Sequence, residues 1–140
     1  MKYLLVVSLF FSMGFTSADN IASKKEARLL ADKMVSHFIK EEFSEGMAIA
    51  MPHWPLPKVE LENLINKIEL QWPIVDKRFG KGVGMELVHE ERIGDSFVRY
   101  YYLHKFKNHA IYWELTFYKP EKHWRVNGVS YKDDLDILYR

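Results

Sequence analysis

Glu114 is the side chain best placed to do chemistry. It stands inside the run Ile111-Tyr112-Trp113-Glu114-Leu115-Thr116-Phe117-Tyr118, where an unpaired charge is costly. A glutamate enclosed by rings has its proton affinity raised and can act as a general base on a carbon acid. The plainer reading is a carboxylate on an outward sheet face, paired across strands with Arg99 or Arg125. The six histidines, His37, His53, His89, His104, His109 and His123, fall in no HExxH or other close metal-ligand spacing. They predict no metal site, and no other motif implies a cofactor. With no cysteine in the chain, thiol chemistry, disulfides, thiolate metal centres and a lipid-modified cysteine are all excluded. No serine sits in a nucleophile elbow. The glycines at positions 80, 82 and 84 have neither a preceding strand nor a following GK[ST], so they predict a helix stop and a connection, not a phosphate loop.

Aromatic side chains supply a second kind of candidate. His53-Trp54 lies among Pro52, Pro55 and Pro57, as a lid over an apolar pocket or as plain packing beneath a proline loop. Trp54, Trp72, Tyr101 and Trp113 are the residues expected to line such a pocket, since small-ligand sites combine ring walls with few polar groups. Stacking on nucleic acid is not expected. The chain has 20 Lys and Arg against 19 Asp and Glu, which gives no basic footprint.

The elements that must position these residues read as helices first and strands afterwards. Ser23-Lys24-Lys25-Glu26 has the form of a capping box. Ala27, Leu30, Ala31, Met34 and Phe38 continue it as a helix to about Phe43. Glu45-Gly46 marks a break, and Met47–Met51 suits a short second helix that the prolines close. Leu61, Leu64, Ile65, Ile68, Trp72, Val75 and Phe79 form the stripe of a third helix, which Pro73 should kink or divide.

Four strands are predicted next: Met85–Ile93, Phe97–Phe106, Ala110–Lys119 and Trp124–Val129, with a bulge at Asn127-Gly128. In the third strand Trp113, Leu115 and Phe117 share the face that covers the helices. Tyr112, Glu114, Thr116 and Tyr118 share the other, a ring-rich surface suited to a partner protein or to a second copy of the chain. Asp133-Asp134 can cap a short last helix. The fold class is therefore α+β, with N-terminal helices packed on a curved four-stranded antiparallel meander.

Residues 1–18 read as a cleaved signal peptide. Lys2 precedes an apolar run from Tyr3 to Phe11, and Thr16-Ser17-Ala18 supplies small residues before the cut. The run is shorter than the roughly 20 residues of a membrane span, so no stable membrane insertion is expected. Positions 19–140 are enough for one domain and too few for two. An exported protein, periplasmic or secreted and with a bacterial host preferred, is the expected address.

Three short stretches extend this order of elements to a family likeness. They are Trp72-Pro73-Ile74-Val75 with Arg78-Phe79-Gly80, the run Ile111–Lys119, and Trp124-Arg125-Val126-Asn127-Gly128. With them the chain resembles the nuclear transport factor 2-like superfamily, the cystatin-like α+β cone, and in particular its small exported members of uncharacterised families. The resemblance implies a cone that holds ligands or docks partners, in a superfold hosting many unrelated functions. None of the enzyme members' catalytic motifs is matched. Three functions follow as expectations. The first is an exported binding or interaction module, with a small apolar molecule in the cone or a protein on the sheet face. The second is a small cofactor-free acid-base enzyme of isomerase or dehydratase type using Glu114. The third is an immunity-like or secretion-accessory protein.

Overall fold

The computed structural model describes residues 20–139, so the expected signal peptide lies outside the described residues. Three α-helices and a short 3-10 turn precede a four-stranded antiparallel sheet whose strand order is that of the sequence. This is the α+β arrangement expected, with helices packed on one face of a meander. Among the described residues no helix is long and apolar enough to cross a membrane.

Helix α1 spans Lys24–Phe38. Ser23 Oγ accepts from the Glu26 amide at 3.1 Å, and Glu26 reaches back to the Ala22 amide at 2.6 Å, so the capping box closes one residue further out than its usual form. The helix stops at Phe38, earlier than expected, because the chain turns through a Schellman motif. The Glu42 amide donates to the His37 carbonyl at 3.0 Å and the Glu41 amide to the Phe38 carbonyl at 2.9 Å, with Glu41 at φ +62°.

Helix α2 is Phe43–Ala50, so Glu45-Gly46 lies inside a helix and not at a break. Gly46 is there for proximity. A Cβ at this position would stand 2.4 Å from the Phe38 ring and 3.0 Å from the Met34 carbonyl. That ring is fully buried and packed 4.4 Å from Trp113, so it has little room to yield. Gly46→Ala is therefore expected to cost about 1–3 kcal/mol, read as a fall in the urea midpoint without a change in slope. An unchanged midpoint would show that α1 and α2 can separate freely.

Helix α3 runs unbroken over Lys58–Phe79. Pro73 neither splits it nor ends it, because Leu61, Ile68, Trp72, Val75 and Phe79 are buried on both sides of the proline. Pro73 itself is exposed, so the Glu69 carbonyl it leaves unbonded lies toward water.

The strands are β1 (Gly82–Ile93), β2 (Phe97–Phe106), β3 (Ala110–Tyr118) and β4 (Arg125–Lys132). Gly80 ends α3 at φ +87°, as expected of a helix stop, but strand β1 begins at Gly82, so Gly82 and Gly84, expected as a connection, belong to the sheet. The register of β3 against β4 slips between Thr116 and Phe117, whose partners are Gly128 and Val126, leaving Asn127 as the bulged residue. Trp124 lies outside β4 and instead bridges to Ile21, tying the N-terminal segment to the sheet. A 3-10 turn at Asp136–Leu138 follows, with the Asp136 amide capped by the Asp134 carboxylate at 3.0 Å.

Ile111, Trp113, Leu115 and Phe117 face the helices together with Val98, Tyr100, Tyr102 and Phe106 of β2. Phe38, Phe43, Trp72 and Trp113 interlock there at centroid distances of 4.4–6.2 Å. Rings fill the space between helices and sheet.

Candidate functional site

Register decides the surroundings of Glu114. Its partners across the sheet are Tyr101 on β2 and Ser130 on β4, so it points away from the helices. Its Oε1 lies 3.0 Å from Arg99 and its Oε2 3.6 Å from Lys132 Nζ, and Ser130 Oγ donates to Oε2 at 3.3 Å. Arg99 Nε also donates to Thr116 Oγ1 at 2.9 Å. Two cations and a hydroxyl thus hold this carboxylate as an ion-pair acceptor on the outer face. Of the two arginines considered, Arg99 is its partner. Arg125 sits opposite Tyr118, and Lys132 is an addition the sequence did not signal.

The four ring residues expected to line one pocket are distributed over three places. Trp72 and Trp113 meet in the core, 6.0 Å apart and stacked. Tyr101 is on the outer face with His89 5.5 Å away. Trp54 follows the 3-10 turn Met51–His53 and walls a cleft of about 250 Å³ with His53, His123 and Trp124. Burial there holds the His53 imidazole below its usual range.

Charged and polar groups converge elsewhere, in a pocket of about 450 Å³ between the end of α1, the last turns of α3, the start of β1 and the end of β2. Its walls are Ile39, Lys40, Glu41, Asp76, Lys81, Gly82, His104 and Phe106. His104 forms the floor, 1% exposed, stacked 4.2 Å from Phe106 and 5.6 Å from Trp72. Trp113 Nε1–H donates to His104 Nδ1 at 3.3 Å. An imidazole accepting at Nδ1 carries its proton on Nε2, and burial pushes its pKa down to about 4, so the ring is neutral at pH 7. Nε2 lies 3.5 Å from the place a Cβ on Gly82 would occupy, which puts a hydrogen-bond donor on the pocket side of the ring.

Glu41 and Asp76 meet at the rim. A hydrogen bond between their carboxyl groups raises the Glu41 pKa, with burial and the Asp76 charge adding to it. Such a bond needs one shared proton. Nearby Trp72, itself 4% exposed, buries an indole N–H that has no hydrogen-bond acceptor. The Glu41 carboxyl group is close enough to feel that N–H, which is the smallest of the influences on it and the one that opposes the rise. The other buried nitrogen without a hydrogen bond among the described residues, His37 Nδ1, has the Glu42 carboxylate 3.7 Å away.

The backbone marks the same place. The left-handed position that ends a helix is ordinarily glycine, and a residue with a side chain costs roughly 1–2 kcal/mol there. Glu41 occupies it, and the result is a carboxylate aimed across the gap at α3. Local strain of this kind collects at functional sites.

The Glu41–Asp76 pair sets a sign for pH dependence. The folded protein binds the Glu41 proton more tightly than the unfolded chain, so the pair favours folding at acid pH and opposes it once pH rises through the raised pKa. Glu41→Gln, which copies the protonated form, is expected to raise the melting temperature relative to wild type at pH 8 and to lose that advantage at pH 4. A constant difference at both pH values would remove the shared proton from the account.

A larger cleft of about 600 Å³ lies between α3 and β4, walled by Gln71, Ile74, Val75, Arg78, Tyr131 and Asp133 among others. Its polar groups already satisfy one another, Tyr131 Oη donating to Gln71 at 2.5 Å and Arg78 meeting Asp133 at 3.5 Å. No set of three or more His, Asp or Glu among the described residues is arranged to hold a metal ion.

Sequence reasoning missed Glu41, Asp76 and His104 as a group. The one available signal was parity: His104 shares a face with Tyr100 and Tyr102, which places a histidine toward the helices. In comparisons with family models, curated proteins and solved structures, none matched the chain.

Proposed function

We propose that this protein is an exported, nuclear transport factor 2-like binding module that holds a small molecule in the pocket above His104. The observation that carries this reading is the buried His104 ring, whose Nε2–H faces a pocket where four charged side chains converge. An oxygen of a bound molecule placed there would accept from that N–H. The ring-filled interior supports a site at the edge of the helix–sheet sandwich instead of one deep inside it. The ion pairs on Glu114 weigh against the acid-base reading of that residue.

The test is a titration of uniformly ¹⁵N-labelled protein with a panel of small acids, amides and amines. Saturable movement of the Trp72 indole and His104 ring signals is the expected result. A panel that leaves both unmoved, or that moves only signals around Glu114 and Ser130, would overturn the proposal. Export is checked separately: N-terminal sequencing of protein from the host is expected to start at Asp19.

A further inference from the structure

The sheet has two edges, and β1 is the blunted one. It breaks register twice, between Gly82 and Gly84 and between Leu87 and His89, and Glu86, Glu90 and Arg92 are exposed along it. Bulges and charges of this kind deter pairing with a further strand. Strand β4 is the other edge, and past its bulge at Asn127 it runs regularly to Lys132. Alternation identifies its free backbone groups. The Lys119 amide donates to Ser96, beside β2, at 2.8 Å, so Tyr118, Thr116, Glu114 and Tyr112 turn their backbone groups toward β4. Their partners there are Arg125, Gly128, Ser130 and Lys132. The N–H and C=O groups of Val129 and Tyr131 therefore point away from the sheet, and among the described residues nothing bonds to them.

One rung of this edge is already taken. By the same alternation the Trp124 N–H points outward, and it donates to the Ile21 carbonyl at 2.8 Å in an antiparallel bridge. The open rungs, further along, border the cleft of about 600 Å³ between α3 and β4. On that side α3 presents Lys67, Leu70, Gln71, Ile74 and Arg78 at helical spacing, with Leu70 and Ile74 exposed. Unpaired strand groups beside an apolar slot suit an extended backbone with side chains on one face. The charge nearby is mostly positive. Lys67 and Arg125 form no ion pair among the described residues, while Asp133 is engaged by Arg78 and Asp134 caps Asp136. A second copy of the chain would bring the same cations, and its own Val129 and Tyr131 side chains would lie beneath its own α3, leaving the cleft unfilled.

We propose that the free edge of β4 takes up an extended segment of another polypeptide as a fifth, antiparallel strand. Its alternate apolar side chains enter the cleft between α3 and β4, and acidic residues at its two ends lie toward Lys132 and Arg125. This site is separate from the pocket above His104 and does not depend on it.

The probe is the peptide acetyl-Glu-Val-Thr-Val-Glu-amide, titrated into ¹⁵N-labelled protein. Saturable movement of the Val129 and Tyr131 amide signals, with slowed hydrogen exchange at both, is the expected result. Set opposite those two residues, the valines turn their N–H groups toward β4 and the threonine turns its own away. N-methylation of both valines is therefore expected to abolish binding, and N-methylation of the threonine to leave it within about twofold. Lysine in place of both glutamates should weaken binding roughly fivefold or more at low salt. Ile74→Gln, at an exposed position, should weaken it by a similar factor with an unchanged urea midpoint. Binding that survives valine N-methylation, or that moves the His104 ring in place of the β4 amides, would overturn strand addition. Equal or tighter binding of the lysine peptide would overturn the acidic partner. Sedimentation equilibrium of the protein alone is expected to give a monomer; a dimer dissociated by Ile74→Gln would make a second copy the occupant and overturn the proposal, as would silence from every peptide.

Discussion

Replacing Trp113 by alanine is expected to remove about 3–5 kcal/mol of stability, a large share of the 5–15 kcal/mol that a domain of this size holds in reserve. Trp113 is fully buried, and five aromatic side chains depend on it. Phe38 lies tilted against it at 4.4 Å, Tyr131 at 5.1 Å and Phe43 at 6.1 Å, Trp72 stacks at 6.0 Å, and His104 Nδ1 accepts its N–H. Those rings come from α1, α2, α3, β2 and β4, so no single element can shift to fill the void. The loss should appear as a drop in melting temperature of roughly 10 °C or more. Trp113→Phe keeps much of the volume and removes only the donor, so it separates packing from the hydrogen bond. A loss below about 1.5 kcal/mol for the alanine variant would show that the rings collapse inward after all.

Acid is expected to unfold the protein through His104. The folded state holds this imidazole neutral, with its pKa near 4 against 6.5 when free. Stability from the neutral ring is therefore complete above pH 6.5 and declines as pH falls toward 4. At about 1.4 kcal/mol for each pH unit of difference, the loss is about 3 kcal/mol by pH 4. Asp76 on α3 is the charge that eases protonation, and it is outweighed by burial. Glu41 on the α1 turn and Lys40 and Lys81 on either side also face the ring's pocket. Urea unfolding at intervals from pH 7.5 to 4 measures the effect. His104→Gln, which cannot gain a charge, is expected to begin less stable at pH 7 and to show a flatter profile. A parallel decline in both proteins would assign the acid sensitivity to other groups.

Local rules carried much of the fold. Ser23 with Glu26 announced the first helix, and alternation from Ile111 to Tyr118 separated Trp113 from Glu114 without any structure. Two of the errors occurred where glycine serves packing or pairing. Gly46 resembles a break because helices avoid glycine; it is present because Phe38 needs the space. The glycines at 82 and 84 resemble a connection and are strand. The candidate site was less legible for a different reason. Glu41 and Asp76 are distant in sequence and meet only because a Schellman turn holds a glutamate at positive φ, a backbone state with no side-chain signature at that position. His104 could be placed on the inner face by parity, but its tautomer depends on Trp113, and that contact requires tertiary packing. Arg99 against Glu114 was within reach, since both lie on outward positions of adjacent strands; Lys132 needed the register.

The strand order has a kinetic consequence. Neighbouring strands are consecutive in the chain, so the sheet can zip hairpin by hairpin, whereas the apolar stripe of α1 must wait for β3. About 75 residues separate Phe38 from the Trp113 ring against which it packs. At a synthesis rate of roughly 5–20 residues per second, Phe38 has only α2, with Phe43 and Gly46, to pack against for several seconds while its partner on β3 is still being made. During that interval α1 and α2 form at most a loose hairpin, short of a core and open to capture by a holding chaperone. A chain with this timetable commits to its folded state only when its last third is complete.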